Sequence, residues 1–156
     1  MKVVFLLALA CGATISLAPK EWRTIVPLRS TRADVEKLLG PHKKYGGSLS
    51  DYETTDERVT VMYASGPPCA PNGFQIWNVP RDTVIGITLQ PKRELRFVDL
   101  KLDEAKYKKT DNEGHGPPYF YYTDEKAGLQ YEVIQGRVMS ISYFPAAKDD
   151  HLRCSP

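Results

Sequence analysis

Short stretches in which apolar and polar residues alternate limit the fold of this chain more than any other feature of its sequence. The strand-like stretches are 58–64, 74–79, 83–90, 119–123, 129–134 and 137–144. Turn-forming residues separate them, and Gln135 with Gly136 between the last two is typical of a two-residue hairpin connection. Because successive side chains of a strand point to opposite faces, this pattern with short connections predicts an antiparallel sheet.

One helix is indicated near the N-terminal end of the strand-rich region. Thr31 is placed to cap it, and Asp34, three residues later, completes a capping-box pattern. Apolar residues then follow at helical spacing on one face, at Val35, Leu38 and Leu39. Gly40 and Pro41 end the segment, because glycine accepts the left-handed conformation after a helix and proline cannot continue one. The sequence therefore predicts a helix of about two turns.

The segment 99–109 leaves two assignments open. Leu100 and Leu102 alternate as in a strand, whereas 103–107 has the composition of one helical turn. We find no Ser- or Gly-rich linker and no residue-level repeat. We therefore predict an α+β fold in a single globular domain over residues 19–156. It consists mainly of an antiparallel sheet of about five to seven strands, with one short N-terminal helix packed on it.

Residues 1–18 have the features of a signal peptide. Lys2 provides a positive charge, and 3–10 is an apolar run too short to span a bilayer. Ser16 and Ala18 are the small residues that a signal peptidase would read for cleavage after Ala18. We therefore expect the rest of the chain to be secreted or periplasmic, with no membrane span after cleavage.

Three other fates of this N-terminal segment stay open. Pro19 would follow cleavage after Ala18, a position where proline is poorly tolerated, and cleavage after Ala13 avoids this. Cys11 ends a degenerate lipobox, so its lipidation would instead anchor the protein to the envelope. The segment could also be retained as an anchor.

The cysteine count depends on this export signal. If Cys11 is removed, Cys69 and Cys154 remain as an even pair in an oxidising compartment. We therefore predict one disulfide between them, with two free thiols as the alternative. The bridge would close a loop of about 85 residues and stabilise the fold by about 4–5 kcal/mol at most.

The charge balance argues against a nucleic-acid partner. The 156 residues include 21 basic and 19 acidic side chains, for a formal net charge of +2. Removal of Lys2 with the signal leaves 20 basic residues against 19 acidic ones. Such a balance provides no strong field for nucleic acid or for an anionic membrane.

Two segments of the chain resemble a known family. Residues 28–41 form a threonine-capped helix pattern that ends in Leu-Leu-Gly-Pro, and 128–141 contains Gly-Leu-Gln-Tyr-Glu-Val followed by Gly-Arg-Val. These are similar to the opening helix and the closing hairpin of SmpA/OmlA-type domains, whose best-known member is a small lipoprotein of the outer-membrane β-barrel assembly machine. The resemblance implies a helix before an antiparallel sheet. It also implies protein–protein contact rather than chemistry, as in the related inhibitory folds that bind β-lactamases.

The sequence assembles no catalytic or metal site. His42 lies beside two lysines, His115 lies between glycines, and His151 belongs to the acidic segment that contains Cys154. A zinc site in that segment would use the cysteine needed for the disulfide, and it lacks a second Cys/His pair at ligand spacing. Neither Gly-x-Ser-x-Gly nor Gly-x-x-x-x-Gly-Lys occurs. We therefore predict no catalytic residue, no metal site and no cofactor.

An aromatic run provides the best candidate binding residues, Tyr119, Phe120, Tyr121 and Tyr122. On a strand, Tyr119 and Tyr121 face one way, and Phe120 and Tyr122 face the other. We expect one pair in the core and the other on a surface that could stack against protein, peptide or sugar. The alternative is that both faces of the strand are covered.

From the sequence we predict an exported, non-catalytic interaction module with a protein partner, either associated with the envelope or acting as an inhibitor. The alternative is a small extracytoplasmic hydrolase or carbohydrate-binding protein that uses the aromatic strand and loop carboxylates. The available carboxylates are Asp51, Glu53, Asp56, Glu57, Asp149 and Asp150. A glycosidase needs two of them at a defined separation, which only the fold determines.

Overall fold

A computed structural model of the protein describes residues 20–69, 76–111 and 119–155, with only the backbone for 44–46. The signal peptide predicted over 1–18, the first part of the strand predicted over 74–79 and His115 lie outside these residues. Within the described ranges, no helix is long and apolar enough to cross a membrane.

The strands of the described chain form one antiparallel sheet. They are β1 (Lys44–Gly46), β2 (Leu49–Glu53), β3 (Glu57–Tyr63), β4 (Val84–Pro91), β5 (Lys108–Asp111), β6 (Tyr119–Asp124), β7 (Leu129–Ile134) and β8 (Arg137–Tyr143). Their order across the sheet is β1-β2-β3-β4-β8-β7-β6-β5. Two four-stranded meanders, β1–β4 and β5–β8, therefore lie side by side and join where β4 pairs with β8. The predicted antiparallel sheet is confirmed, with seven strands of four to eight residues besides the three-residue β1.

The one α-helix of the described residues, α1 (Arg32–Leu39), is the predicted helix. The Thr31 N–H donates to the Asp34 carboxylate at 2.7 Å, and the Asp34 N–H donates back to the Thr31 hydroxyl, which completes the capping box. Val35 is fully buried, so this short helix is held mainly by its contact with the sheet.

In the described ranges the other helical structure consists of three 3₁₀ segments, Phe97–Leu100, Glu104–Lys106 and Ala147–Leu152. The first two lie in the connection between β4 and β5, where the assignment of 99–109 was open. That segment contains a 3₁₀ turn and then the start of β5. With one eight-residue α-helix, the described part of the chain is mainly β, and the predicted α+β class describes it only loosely.

The core lies on one side of the sheet, here called the covered face. Under β2, β3 and β4 it includes Trp22, Ile25 and Val35, and under β6, β7 and β8 it includes Phe97. Ile141 and Tyr143 of β8 pack against both clusters. The two meanders therefore share one continuous core across the β4–β8 pairing.

The C-terminal residues are bonded to the connection between β3 and β4. Cys69 and Cys154 form a disulfide with a Cα–Cα distance of 5.3 Å, as the cysteine count predicted. The Cys154 N–H donates to the Ile76 carbonyl, and Trp77 pairs with Arg153 in a single β-bridge. The strand predicted over 74–79 is therefore wrong for the described residues 76–79, because these residues pair with the short C-terminal segment instead of joining the sheet.

The hairpin between β7 and β8 has the predicted two-residue turn. Gln135 and Gly136 have φ values of 49° and 78°, both in the left-handed region. Two successive positive φ angles are the geometry of a type I′ turn, whose twist matches that of the flanking strands. This turn fixes the register in which β7 presents its side chains to the two faces.

Candidate interaction surface

The second side of the sheet, here called the open face, carries the side chains that alternate with the core positions. In β3, for example, Val59 and Val61 are buried, whereas Arg58 and Met62 are exposed. Three large apolar side chains on this sheet are more than two-fifths exposed, at Leu49 (41%), Met62 (45%) and Met139 (46%). Among the described residues, α1 and the 3₁₀ segment Phe97–Leu100 contribute to the core clusters of the other side.

The aromatic run of β6 divides between the two faces. Tyr122 is buried, with its ring stacked on Phe97 at a centroid distance of 4.1 Å, and Phe120 packs against the same cluster. Tyr119 and Tyr121 are half-buried on the open face, in an edge-to-face pair at 5.5 Å. Phe120 and Tyr122 therefore belong to the core, and only Tyr119 and Tyr121 are available to a partner.

The Tyr121 hydroxyl acts as a neutral hydrogen-bonding group. Burial raises the pKa of Tyr121, and a hydrogen bond with Tyr119 and the charge of Glu132 raise it further. Glu132 is the Cα partner of Tyr121 on the neighbouring strand β7. The pair thus offers an apolar surface with a polar tip, as in many protein interfaces.

A groove opens on this face where β4 leaves β8. The last β4–β8 pair is Leu89 with Ile141, and the chain returns to β8 only where the Val138 N–H donates to the Leu95 carbonyl at 2.8 Å. Pro91 lies in the excursion and has no N–H with which to continue the ladder. The resulting cavity of about 520 Å³, here called the seam groove, is lined by Arg58, Gln90, Pro91, Lys92, Glu132, Ile134 and Met139.

The other charged residues that line the seam groove, Lys92 and Glu132, each have a polar partner. Lys92 donates to Glu53 at 2.8 Å and to the Thr54 carbonyl at 2.6 Å, and Lys43 also donates to Glu53. The hydrogen bond from Lys43, followed by that from Lys92, lowers the pKa of Glu53 to about 2. On the opposite wall, Glu132 accepts a hydrogen bond from the Ser140 hydroxyl at 2.8 Å.

Arg58 differs from these groups. No carboxylate within the described ranges forms an ion pair or a hydrogen bond with its guanidinium. Its Cα partner on β2 is Glu53, but that carboxylate is held by Lys43 and Lys92. The seam groove therefore presents a guanidinium to which no described carboxylate is bound, and the apolar side chains of Ile134 and Met139 line the same groove.

Most of the loop carboxylates suggested for a hydrolase are held by a donor. The pairs are Asp51 with Thr60, Glu53 with Lys43 and Lys92, Glu57 with Arg23, Asp149 with Arg29, and Asp150 with Arg153. A general acid needs a raised pKa, whereas that of Glu53 is lowered. Asp149 is buried, and its Oδ2 accepts no hydrogen bond within the described part of the chain.

The histidine and cysteine side chains that could bind a metal are separated. His42 contacts Glu36 at 3.3 Å, His151 bonds the Lys148 carbonyl at 2.9 Å, and Cys154 is in the disulfide. In the described ranges, no group of three or more His, Cys, Asp or Glu side chains is arranged to hold a metal ion.

The sequence reasoning identified Tyr119 and Tyr121 but missed the seam groove. The one local signal for it is Pro91, which ends the strand pattern of 83–90. Comparisons with protein-family models, with curated proteins and with solved structures gave no match. The function must therefore be inferred from the geometry of this surface.

Proposed function

We propose that this protein is an exported, non-catalytic interaction module that binds a protein partner on the open face of its sheet. The observation that supports this most directly is the exposure of Leu49, Met62 and Met139 on a face whose other side chains are mainly polar. Leu49 and Met62 are Cα partners on β2 and β3, and exposed apolar surface with a polar surround is typical of protein interaction sites.

The dimensions of the open face suit such a contact. Eight strands leave seven spacings of about 4.8 Å, so the sheet is about 34 Å wide, and strands of about six residues are about 20 Å long. The product, about 700 Å², approaches the ~800 Å² that each partner buries in an ordinary stable interface.

The extracytoplasmic location is part of the proposal. It is supported by the signal-like segment 1–18 and by the Cys69–Cys154 disulfide, which persists in oxidising compartments. The resemblance of 28–41 and 128–141 to SmpA/OmlA-type domains also favours protein contact, in envelope assembly or in inhibition.

Carbohydrate binding is a second candidate, and the pair of half-buried rings at Tyr119 and Tyr121 favours it. Aromatic rings on an open surface can stack on sugar rings as well as on protein side chains. Cross-linking distinguishes the two candidates, because the molecule attached to the open face is a protein in one case and a carbohydrate in the other.

Site-specific photo-cross-linking in the producing cells tests the proposal. A photoreactive amino acid replaces Met62 or Met139 on the open face, and Val98 serves as the control position. Val98 is 68% exposed and lies in the 3₁₀ segment whose Phe97 packs on the covered face, so it reports non-specific collisions.

We expect both open-face positions to give one protein adduct of the same mass, and Val98 to give none. Adducts of the same mass and yield from all three positions would contradict a dedicated open-face interface, and so would their absence from Met62 and Met139. Binding of purified protein to an oligosaccharide array that is lost in Tyr119→Ala/Tyr121→Ala would favour the carbohydrate alternative.

A further inference from the structure

Resting on the proposed open-face interface, we infer that the seam groove receives an acidic side chain of the protein partner. The Arg58 guanidinium binds its carboxylate, and Ile134 with Met139 contacts the apolar part of the inserted segment. The partner segment is thus a glutamate or aspartate next to an apolar residue. This names the chemistry of the partner, which the proposed function leaves open.

The charge pattern of the groove carries this inference. Lys92 and Lys43 share the single carboxylate of Glu53, which leaves this cluster with a net charge of +1, and Glu132 accepts a hydrogen bond from the neutral Ser140 hydroxyl. Arg58 is left as a cation with no carboxylate bound to it among residues 20–69, 76–111 and 119–155. A docked partner would exclude water from the groove, and an unpaired buried cation is costly. A complementary carboxylate on the partner offsets part of that cost.

The donors at one wall of the groove fit a carboxylate in particular. Gln90 is the Cα partner of Arg58 across β3 and β4, so its amide lies on the same side of the sheet as the guanidinium. The planar guanidinium can form two parallel hydrogen bonds to one carboxylate, and the Gln90 amide can add another. Glu132 on the facing wall repels an acid placed there, which fixes the inserted group at the Arg58 wall.

The volume of the groove also limits what enters it. A space of about 520 Å³ lies in the range of small-ligand sites, and it suits one or two side chains rather than a whole secondary-structure element. Ile134, Met139 and Pro91 supply apolar contact next to the charge. A loop or chain end that presents adjacent acidic and apolar residues satisfies both features.

The first experiment keeps the photoreactive residue at Met62, which lines no part of the groove, and adds a second substitution. Arg58→Gln removes the cation, Arg58→Lys retains the charge without the bidentate geometry, and Arg93→Gln is the matched control. Arg93 is an exposed arginine of the same excursion, but it lines the cleft with Leu89 and Ile141 on the covered side. Urea midpoints of the three variants establish that each is folded.

We expect Arg58→Gln to lower the adduct yield at limiting protein about tenfold, Arg58→Lys to lower it less, and Arg93→Gln to leave it unchanged. An unchanged yield in Arg58→Gln would overturn the inference while the proposed interface stands. If the parent protein gives no adduct from Met62 at all, the interface and the inference fail together.

A second measurement uses defined probes on the purified protein. Acetyl-Glu-Leu-amide is titrated into the protein while the NMR signal of the ¹³C-labelled Met139 methyl group is followed. Acetyl-Gln-Leu-amide is the neutral control peptide. We expect the acidic dipeptide to shift this signal at about tenfold lower concentration than its match, and added salt to reduce the difference. Equal effects of the two peptides would overturn the inference. A response to glucuronate but not to the acidic dipeptide would overturn the protein source of the carboxylate.

Discussion

Gly128 makes a specific and testable contribution to the stability of the fold. It ends the turn between β6 and β7 with a φ of +70°, and a Cβ placed on it would lie 2.1 Å from the Phe144 carbonyl oxygen. Hydrogen bonds hold this residue on both sides. Its N–H donates to Asp124 at 2.9 Å, and the Phe144 N–H donates to its carbonyl at 3.0 Å. The turn therefore cannot shift away from Phe144 without breaking these bonds.

The expected cost of Gly128→Ala follows from two contributions. A left-handed φ costs an L-residue about 1–2 kcal/mol. Forcing a methyl group against fixed backbone adds about 3 kcal/mol, the upper end for overpacking, because the atom that it meets is not the end of a flexible side chain. We therefore expect Gly128→Ala to lower the free energy of unfolding by about 4–5 kcal/mol.

Gly136→Ala is the matched control. Gly136 has a φ of +78°, but a Cβ there would have no heavy atom within 4 Å. The free energy of unfolding of Gly136→Ala should fall only by the cost of the left-handed φ, about 1–2 kcal/mol. Urea unfolding of the oxidised protein measures both variants, and an m value of about 1–3 kcal/mol per molar urea converts a 3 kcal/mol difference into a midpoint difference of about 1–3 M. Equal midpoints for the two variants would refute the reasoning.

Two further predictions concern polar contacts of β2 and β3. The pKa of Glu53 is about 2 in the folded protein and near 4.5 in the unfolded chain, so its stabilising contribution is complete above about pH 5 and is lost as the pH falls towards 2. Acid titrations followed by circular dichroism should show that Glu53→Gln flattens the loss of stability between these pH values. The buried hydroxyls of Tyr52 and Tyr63 lie 3.0 Å apart. Either single Phe substitution should cost about 1 kcal/mol in chemical unfolding, and the double variant less than the sum, because only the single variants leave one hydroxyl unpaired.

Local signals in the sequence were sufficient for part of this fold. The capping box at Thr31 and the turn at Gln135 and Gly136 each depend on neighbouring residues, and both are present in the structure. By contrast, β2 was missed because few of its residues are apolar. Its fully buried Ser50 is stabilised by a 2.7 Å hydrogen bond from Arg32, a residue of α1 that the local pattern of β2 does not reveal.

The seam groove could not be predicted for a similar reason. Its position depends on where β4 separates from β8, and these strands lie about 50 residues apart in the chain. In the sequence, Arg58 resembles any exposed arginine of a strand. That no described carboxylate binds it is apparent only when Lys43 and Lys92 are both seen to bind Glu53, the carboxylate across from it.

The pairing of β4 with β8 also has a consequence for the time course of folding. β4 is complete at Pro91, whereas β8 is complete only at Tyr143. At a synthesis rate of about 5–20 residues per second, β8 is therefore completed about 3–10 s after β4. During this interval the backbone groups along one edge of β4 are unpaired, and Ile87 and Leu89 are not yet paired with β8. An unprotected apolar edge can pair with another unfinished chain. The first meander is thus the part of the molecule that most needs to be shielded while the chain emerges, and the arrival of β8 ends that exposure.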